Sequence, residues 1–173
     1  MKETLIDLKT RRSCRKYKTE QVAEDALNEV LEAATYAPTG HGSQSPVMVV
    51  VQDAAMVTTL SELNARIMNT TRDPFYGAPT AVVVFEDTSA HTGHEDACMV
   101  MANLLNAAHA IGLASCWINR GKQMFELPEG EEIKKAWGLG DNMVGLAICI
   151  LGYEAEGGTV APKPRKEGYV IRS

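Results

Sequence analysis

The sequence predicts one domain of the α/β or α+β class, with helices covering a central sheet. Segments with apolar residues at helical spacing alternate with short, β-branched apolar runs, which is the pattern of a sheet wrapped by helices. The chain has 173 residues, the usual size of a single domain, and no internal repeat or linker divides it. Hydrophobic residues make up 45% and charged residues 23%, so the composition is globular rather than disordered or fibrous.

The first part of the chain predicts two helices joined by a loop. Residues 4–11 form a short helix candidate, and residues 12–18 form the loop that follows it. Thr19 is of the type that caps a helix N-terminus, so we expect a stronger helix to begin there and to end before Pro38 and Gly40. The apolar residues of this second helix recur at spacings of three and four: Val22, Ala23, Ala26, Leu27, Val30, Leu31 and Ala34.

Two buried strands with a helix between them are predicted next. Residues 46–52 (PVMVVVQ) form a continuous β-branched run, which predicts a strand buried on both faces. Residues 54–69 have a helical pattern, and residues 73–79 (DPFYGAP) form a rigid loop. Residues 80–85 predict the second buried strand.

The second half of the chain predicts a long buried helix, two more strands and a polar tail. Residues 94–111 are apolar on nearly every side, so we expect this helix to be enclosed, either centrally or at a subunit interface. Gly112 ends it. The remaining elements are a strand at residues 114–118, a charged surface helix at residues 129–137, a strand at residues 144–153 and a tail at residues 154–173. The tail is too polar to fold alone, and we expect it to lie across another surface.

Charge is distributed unevenly along the chain. The net charge is −5 overall, but residues 1–18 carry +5, residues 163–173 carry +3 and residues 19–162 carry −13. An acidic body would repel a long polyanion, so nucleic acid is a poor candidate partner. A small anion is a better one, because a few guanidinium groups can bind it locally. The alternative is that both basic ends are simply solvated.

Membrane, secreted and disulfide-rich proteins are not favoured. The longest apolar runs, residues 47–51 and 82–85, are far shorter than the roughly 20 residues of a membrane helix. The N-terminus has no apolar core, so we expect no secretory signal. The four cysteines are widely spaced, which predicts reduced thiols and a cytoplasmic protein: Cys14, Cys98, Cys116 and Cys149.

Several common catalytic motifs are missing from the sequence. There is no GxGxxG, GxxxxGK[ST] or GxSxG pattern for a dinucleotide fold, a phosphate loop or a hydrolase. His91, His94 and Cys98 (in HTGHEDAC) have a spacing that could chelate a metal, but no second cluster completes four ligands, and an ordinary helix N-terminal turn is favoured. We expect Cys116, beside Trp117, to pack in the core rather than to act as a nucleophile.

Three polar segments remain as candidate binding elements. Residues 11–15 (RRSCR) place three arginines and a serine after a short helix, and guanidinium forks with a hydroxyl suit a phosphate group. The small residues of segment 37–46 (APTGHGSQSP) let the backbone and Gln44 approach a planar heteroaromatic edge. Residues 163–166 (KPRK) form the third segment.

Together these segments resemble the FMN-dependent nitroreductase family, in particular its small clostridial-type branch. RRSCRKY is similar to the family's RRSxRxF/Y opening, and APTGHGSQSP is similar to an APTGxNxQSP variant of its second motif. Further matches are DPFYGAPTAVVVF, MANLLNAAHAIGLASCWI and the final ILGY…KPRK. The resemblance therefore covers nearly the whole chain.

The resemblance implies an α+β fold of three layers, α/β/α, with a central mixed, largely antiparallel sheet. It implies a single FMN-binding domain over residues 1–173 and an obligate homodimer with FMN in two sites at the interface. The tail at residues 154–173 would pack across the partner subunit. Such a dimer would also enclose the helix predicted at residues 94–111.

The resemblance also implies which residues contact the cofactor. No metal ligand and no proton-transferring side chain are assigned, because a flavin carries the electron chemistry itself. A flavin ligand that the family takes from the segment at residues 69–72 is not assigned. The implied contacts are Arg11, Arg12 and Ser13 on the ribityl phosphate, Arg15 near the pyrimidine edge, Lys163 and Arg165 on the phosphate, Gln44 and the backbone of Pro38, Thr39 and Gly40 beside the ring, and the backbone of Asn119 and Arg120 near flavin N5.

The implied activity is hydride transfer from NADH or NADPH to bound FMN, followed by reduction of a planar acceptor such as a nitroaromatic or a quinone, in ping-pong order. Two departures bear on the acceptor: Gly42 replaces the usual Asn, and Ser45-Pro46 replaces Pro-Trp. An FMN-binding module without useful turnover remains an alternative. So does an enzyme of the same fold with a dedicated substrate, for example a reductive dehalogenase. The plainest alternative is an α/β domain with two solvated basic ends.

Overall fold

The computed structural model describes residues 2–173, which form six helices and four strands. The elements are α1 (Glu3–Thr10), α2 (Glu24–Thr35), β1 (Val47–Val51), α3 (Ala54–Ile67), β2 (Thr80–Asp87), α4 (Gly93–Ala110), β3 (Ala114–Ile118), α5 (Gly121–Glu126), α6 (Pro128–Ala136) and β4 (Met143–Gly152). A 3-10 turn at Gly40–Gly42 precedes β1. Among the described residues, no helix combines the length and the apolar character that a membrane span requires.

The four strands form one antiparallel sheet in the order β1-β2-β4-β3. The two long strands, β2 and β4, lie at the centre and pair with Val82 opposite Cys149. Beyond β3, Ser13 forms an isolated parallel bridge with Ser115, which adds the N-terminal loop to this edge of the sheet. This largely antiparallel sheet, with one parallel bridge and with helices on both faces, confirms the predicted fold class.

Alternate residues of β2 belong to two separate cores. Val83 and Phe85 pack with residues of α3 and α5, whereas Val82 and Val84 pack with residues of α2 and α4. Residues 81–85 have no exposed area, because helices cover both faces of this strand. The continuous apolar run in the sequence is therefore explained by the three-layer arrangement.

The prediction that β1 is buried on both faces is wrong for this chain. Only Val51 is buried, and Val50 is 37% exposed. The strand lies at the edge of the sheet, paired with β2 alone among the described residues, so fewer neighbours cover its outer side. A continuous apolar run in the sequence therefore does not distinguish a strand at the edge of a sheet from one at its centre.

Two predicted features of the helices also differ in the structure. α2 begins at Glu24 with Ala23 as its N-cap, five residues after Thr19, which was expected to cap it. The intervening Gln21 instead donates to the carbonyls of Gln52 and Pro79, each at 3.2 Å, and so ties the segment to neighbouring strand ends. The short helix α5 was not predicted, because six residues are too few for a clear periodicity.

The long helix α4 closely matches its predicted position. Its inner face, which includes Ala97, Met101 and Leu104, is fully buried against the sheet and α2. Its outer face includes Met99, which is 40% exposed. Enclosure of this outer face at a subunit interface stays a prediction.

Candidate functional site

The N-terminal basic cluster, residues 11–15, lies along the outer edge of β3. The N–H of Cys14 donates to the Ser115 carbonyl at 2.9 Å, and the N–H of Arg15 donates to the Gly158 carbonyl at 2.7 Å. The Cys14 side chain is buried in the core. The backbone of the cluster is therefore held from two sides, which orders the polar residues on either side of Cys14.

The first two arginines of the cluster have different surroundings. Arg12 Nη1 donates to the carbonyls of Lys9 and Arg11 at 2.8 and 2.7 Å, at the end of α1 where carbonyls lack helical partners. Arg11 Nη1 is buried and has no hydrogen-bond partner within residues 2–173. A buried guanidinium nitrogen without an acceptor is costly, so this atom is suited to an anionic ligand.

Ser13 and Arg15 lie beside the thiol of Cys116. Burial raises the pKa of Cys116, and a hydrogen bond from Ser13 and the charges of Arg15 and Arg11 lower it by less. Cys116 is only 3% exposed. The structure thus confirms that Cys116 packs in the core, and its neutral thiol forms part of the floor beneath the basic cluster.

Residues 38–45, called the 38–45 turn below, connect α2 to β1 and rest on the first turn of α4. The N–H of Gly40 donates to a carboxylate oxygen of Asp96 at 2.8 Å. The hydroxyls of Ser43 and Ser45 donate to its other oxygen at 3.0 and 3.1 Å. Asp96 is almost fully buried. Sequence reasoning missed Asp96, because its partners in the turn are more than 50 positions away and no local pattern connects them.

The turn brings the predicted ring-flanking residues Pro38, Thr39, Gly40 and Gln44 together in one ordered segment. Its backbone enters the left-handed region at His41 (φ 55°), Gly42 (φ 67°) and Gln44 (φ 51°). The N–H of Gln44 donates to the Thr39 hydroxyl at 3.1 Å. Residues other than Gly are rarely held in this region unless surrounding contacts fix them, and such positions cluster at functional sites.

Asn119 and Arg120, predicted to present backbone to a flavin, lie between β3 and α5. Arg120 has φ 80° and precedes the first residue of α5. The Asn119 carbonyl accepts a hydrogen bond from Asn64 Nδ2 at 2.7 Å, and its side-chain oxygen accepts one from Trp117 Nε1. Asn64 therefore holds the backbone of Asn119, and Trp117 holds its side chain.

Asn64 is a second functional candidate that sequence reasoning missed. Its side chain is fully buried, and its Oδ1 has no hydrogen-bond partner in the described part of the chain. A signal for it does exist in the sequence, because Asn64 stands in the apolar stripe of α3 between Leu60 and Ile67. A polar residue on an apolar helix face is either paired in the core or part of a site.

The predicted C-terminal ligands, Lys163 and Arg165, are exposed in the structure. Arg165 Nη2 donates to the Lys163 carbonyl at 2.7 Å, within the tail itself. No part of the same chain covers these side chains among the described residues. That they join residues 11–15 around one ligand stays a prediction.

The tail divides into two parts at Thr159. Glu154 forms a β-bridge with Tyr17, and the N–H of Ala155 donates to the Lys16 carbonyl at 3.0 Å. The first six residues of the predicted crossing segment 154–173 therefore make contacts with their own chain. Residues 160–173 are exposed throughout, and their packing across a partner remains a prediction.

The HTGHEDAC segment does not assemble a metal centre within residues 2–173, where no group of three metal-ligating side chains is found. His94 Nδ1 pairs with the Glu86 carboxylate, and its Nε2 lies 3.8 Å from Cys98 Sγ. Burial, followed by the charges of Glu86 and Glu95, raises the pKa of Cys98.

A cavity of about 590 Å³ lies between α3 and residues 71–79. Its lining includes Thr58, Ser61, Arg72 and Phe75, but none of the predicted cofactor ligands. Of the twelve predicted ligands, six are exposed on the surface of the single chain and six are half-buried. Such a surface is consistent with a site that two chains complete.

Comparisons with known proteins agree with this geometry. A family model described as the nitroreductase family matches residues 8–153. A relative from Methanothermobacter thermautotrophicus, named provisionally as NADH dehydrogenase/NAD(P)H nitroreductase, is 27% identical over 164 residues, covering 89% of this chain and 78% of its own. A relative from Thermus thermophilus named NADH dehydrogenase is 32% identical over 160 residues, covering 88% and 71%. A crystal structure of a nitroreductase with bound FMN from Bacteroides fragilis aligns over 100% of both chains, with a TM-score of 0.91 and 28% identity.

Proposed function

Because the chain belongs to the nitroreductase family, we propose that it is an FMN-dependent oxidoreductase that takes electrons from NADH or NADPH and passes them to a small planar acceptor. The FMN-bound Bacteroides structure and the name of the Methanothermobacter relative support the cofactor and the electron donor. The acceptor is proposed to be a nitroaromatic, a quinone or a similar electron-poor compound.

Two buried polar atoms carry the proposal. Within residues 2–173, Arg11 Nη1 has no acceptor and Asn64 Oδ1 has no donor. FMN offers both kinds of group, since its phosphate oxygens accept hydrogen bonds and its ring N3–H and ribityl hydroxyls donate them. A simple anion would satisfy Arg11 alone. The chemistry of these two atoms therefore fits FMN.

The other residues of the cluster take complementary roles in this proposal. Arg11, Arg12 and Ser13 bind the ribityl phosphate, and Arg15 places a cation at the pyrimidine edge, where negative charge develops on reduction. Bound FMN supplies the two-electron transfer, so the chain need not provide an acid–base pair. The 38–45 turn flanks the ring.

Asn119 and Arg120 are proposed to present their backbone to the reactive edge of the flavin. Asn64 supports this position, because its Nδ2 holds the Asn119 carbonyl, and its Oδ1, which has no partner within residues 2–173, is proposed to accept a hydrogen bond from the flavin. Fixed backbone groups need no reorganisation during the reaction, which lowers its barrier.

A homodimer is part of the proposal. The exposed residues 160–173 are proposed to cross to the partner subunit and to bring Lys163 and Arg165 to the phosphate. The basic segments at residues 11–15 and 163–166, near opposite ends of an acidic chain, would then bind the same phosphate group. The outer face of α4, with Met99 exposed, would be covered in the same assembly.

A single open space over the flavin ring is proposed to admit the electron donor and the acceptor in turn, which gives ping-pong order. Gly42 provides no side chain over the ring, and Ser45-Pro46 provides no aromatic wall. We therefore propose an acceptor site that is wider than in relatives with Asn and Pro-Trp at these positions.

Charge reversal tests the cofactor assignment. We expect Arg11→Glu and Arg165→Glu each to weaken FMN binding by at least ~2 kcal/mol, because a charge-assisted contact is replaced by repulsion. Binding is measured by quenching of flavin fluorescence, with Arg172→Glu as the matched control in the same tail. Unchanged affinity in both variants would contradict the proposed phosphate site.

The visible spectrum of the purified wild type separates the remaining alternatives. An FMN oxidoreductase is yellow and is bleached by NADH or NADPH without oxygen. A yellow protein that neither nucleotide bleaches would indicate an FMN-binding module. A protein that stays colourless after incubation with FMN would contradict the proposed function. Bleaching without turnover of nitroaromatics or quinones would indicate a dedicated substrate.

A further inference from the structure

We propose that Asp96 is a positioning residue for the flavin: by holding the 38–45 turn against α4, it sets where Gln44 and the backbone of the turn meet the ring. The inference rests on the proposed function, and it assigns a role to a residue that lies within the HTGHEDAC segment. Asp96 is not proposed to touch the cofactor.

Four donors converge on the Asp96 carboxylate. One oxygen accepts from the Gly40 N–H at 2.8 Å. The other accepts from the hydroxyls of Ser43, Ser45 and Thr92 at 3.0, 3.1 and 3.2 Å. Three of these donors belong to the turn, and the fourth lies at the start of α4. One buried side chain thus joins both ends of the turn to the helix.

The turn needs this support because its own backbone is strained. His41, Gly42 and Gln44 have positive φ, and two of these three are not glycine. At the base of the turn, a Cβ on Gly40 would lie 2.1 Å from Thr92 Oγ1, so Gly40 is pressed directly onto α4. The Asp96 carboxylate accepts hydrogen bonds from both ends of the turn. These contacts fix the conformation of the turn, and a strained backbone persists only where surrounding contacts fix it.

Electrostatics keep Asp96 in the form that accepts all four bonds. Burial alone raises the pKa of Asp96, but the hydrogen bonds from Gly40, Ser43, Thr92 and Ser45 outweigh it and leave the pKa below its ordinary value. Asp96 also stands in the first turn of α4, where the helix dipole favours a negative charge. The carboxylate therefore remains ionised at neutral pH and accepts at both oxygens.

The consequence concerns specificity. Ser45 directly precedes Pro46, where this chain lacks the aromatic wall expected from its relatives. We therefore expect the 38–45 turn itself to form the wall of the acceptor site beside Pro46. The exact position of the turn then has a larger effect on how the acceptor binds. Small displacements of a positioning group can reduce rates by large factors.

The test compares Asp96→Asn with Asp87→Asn. Asp87 is a matched control, because it accepts three hydrogen bonds where Asp96 accepts four, from Ser89 N–H, Ser89 Oγ and Asn142 Nδ2, but holds a turn outside the proposed site. In Asp96→Asn we expect FMN content to be retained, the visible absorption maximum to shift, and the acceptor KM to rise about five- to tenfold with a smaller change in kcat. Asp87→Asn should lower Tm without either change.

A second variant tests the same inference if Asp96→Asn does not fold. Ser43→Ala with Ser45→Ala keeps the buried carboxylate and should reproduce the spectral shift and the KM effect. Adding Ser45→Ala to Asp96→Asn should have little further effect on KM, because both changes remove the same contact.

The outcomes separate the inference from the proposed function. If Asp96→Asn lowers Tm while the spectrum and the kinetic constants per bound flavin stay at wild-type values, Asp96 is only structural and the inference is overturned. If the wild type binds no FMN, the proposed function fails and the inference fails with it.

Discussion

Asn64 places an amide within an otherwise apolar helix face. Its Nδ2 holds the Asn119 carbonyl at 2.7 Å, while its Oδ1 is buried without a donor. Nδ2 also donates to Met124 Sδ at 3.2 Å, so within residues 2–173 a satisfied amide nitrogen is accompanied by an unsatisfied amide oxygen. The two contributions to stability are of opposite sign and similar size, of order 1 kcal/mol each.

Substituting Asn64→Leu removes both contributions and keeps the side-chain volume. We expect the free energy of unfolding without FMN to change by less than ~1 kcal/mol, and FMN affinity to fall about tenfold. Urea denaturation and fluorescence titration measure the two quantities. Ser61→Ala, one turn earlier on the same helix, loses its bond to Asp73 and serves as the control that leaves FMN affinity unchanged. Equal FMN affinity in Asn64→Leu and wild type would rule out the proposed contact.

At the scale of elements, the tail combines a docked segment with an exposed one. Gly158 is buried against Cys14 and Lys16, so the docked part has little freedom. From residue 160 onward the side chains are exposed, including Tyr169, Val170 and Ile171. Three consecutive exposed apolar residues are unusual for a solvated end.

Truncation after Thr159 tests the exposed part of the tail. Because the docked residues remain, we expect a folded protein whose Tm in the absence of FMN is close to that of the wild-type subunit. We also expect loss of the dimer on size-exclusion chromatography and at least tenfold weaker FMN binding, since Lys163 and Arg165 are removed. Replacing both with Gln in the full-length chain separates the two effects. A truncated dimer with normal FMN affinity would contradict the proposed role of the tail.

For the whole molecule, the elements that could be predicted from the sequence are those whose pattern is local. β2 and α4 were placed closely, because a continuous β-branched run and a long apolar helix are each recognisable within their own residues. The edge position of β1 was missed, since strand order depends on the complete topology. The start of α2 was displaced, because Gln21 makes tertiary contacts that local propensity does not contain.

The candidate site was predictable to a similar extent. The basic cluster and the 38–45 turn were found through their motifs. Asp96 and Asn64 were not, because each acts by joining segments that lie more than 50 positions apart. A contact of Lys163 with the ligand of Arg11 is proposed to form between two subunits, so no pattern within one chain predicts it.

Three carboxylates have pKa values below their ordinary values in the folded protein. A hydrogen bond from Arg66 lowers the pKa of Glu129 from 4.5 to about 2, and bonds led by that of Ser89 lower the pKa of Asp87. The pKa of Asp96 is also below its ordinary value, because its hydrogen bonds outweigh burial. Each group is a stronger acid in the folded state, so the unfolded state binds more protons at low pH.

Stability should therefore be full above about pH 4.5 and should fall as the pH drops towards about 2. Thermal unfolding across this range measures the effect. In Asp96→Asn the decline should be shallower than in wild type, because the substituted amide does not titrate. A wild-type Tm that is constant from pH 5 to about pH 2 would contradict the depressed pKa values.

The edge position of β1 has a consequence for behaviour at high concentration. Its sequence, VMVVV, is uncharged and β-branched, and its outer row of amide and carbonyl groups has no strand beside it within residues 2–173. Such a row is a template for intermolecular strand addition and fibrillar aggregation. Pro46 lacks an N–H at one end and Asp53 carries a charge near the other, so these two residues act as gatekeepers that confine the hazard to five positions.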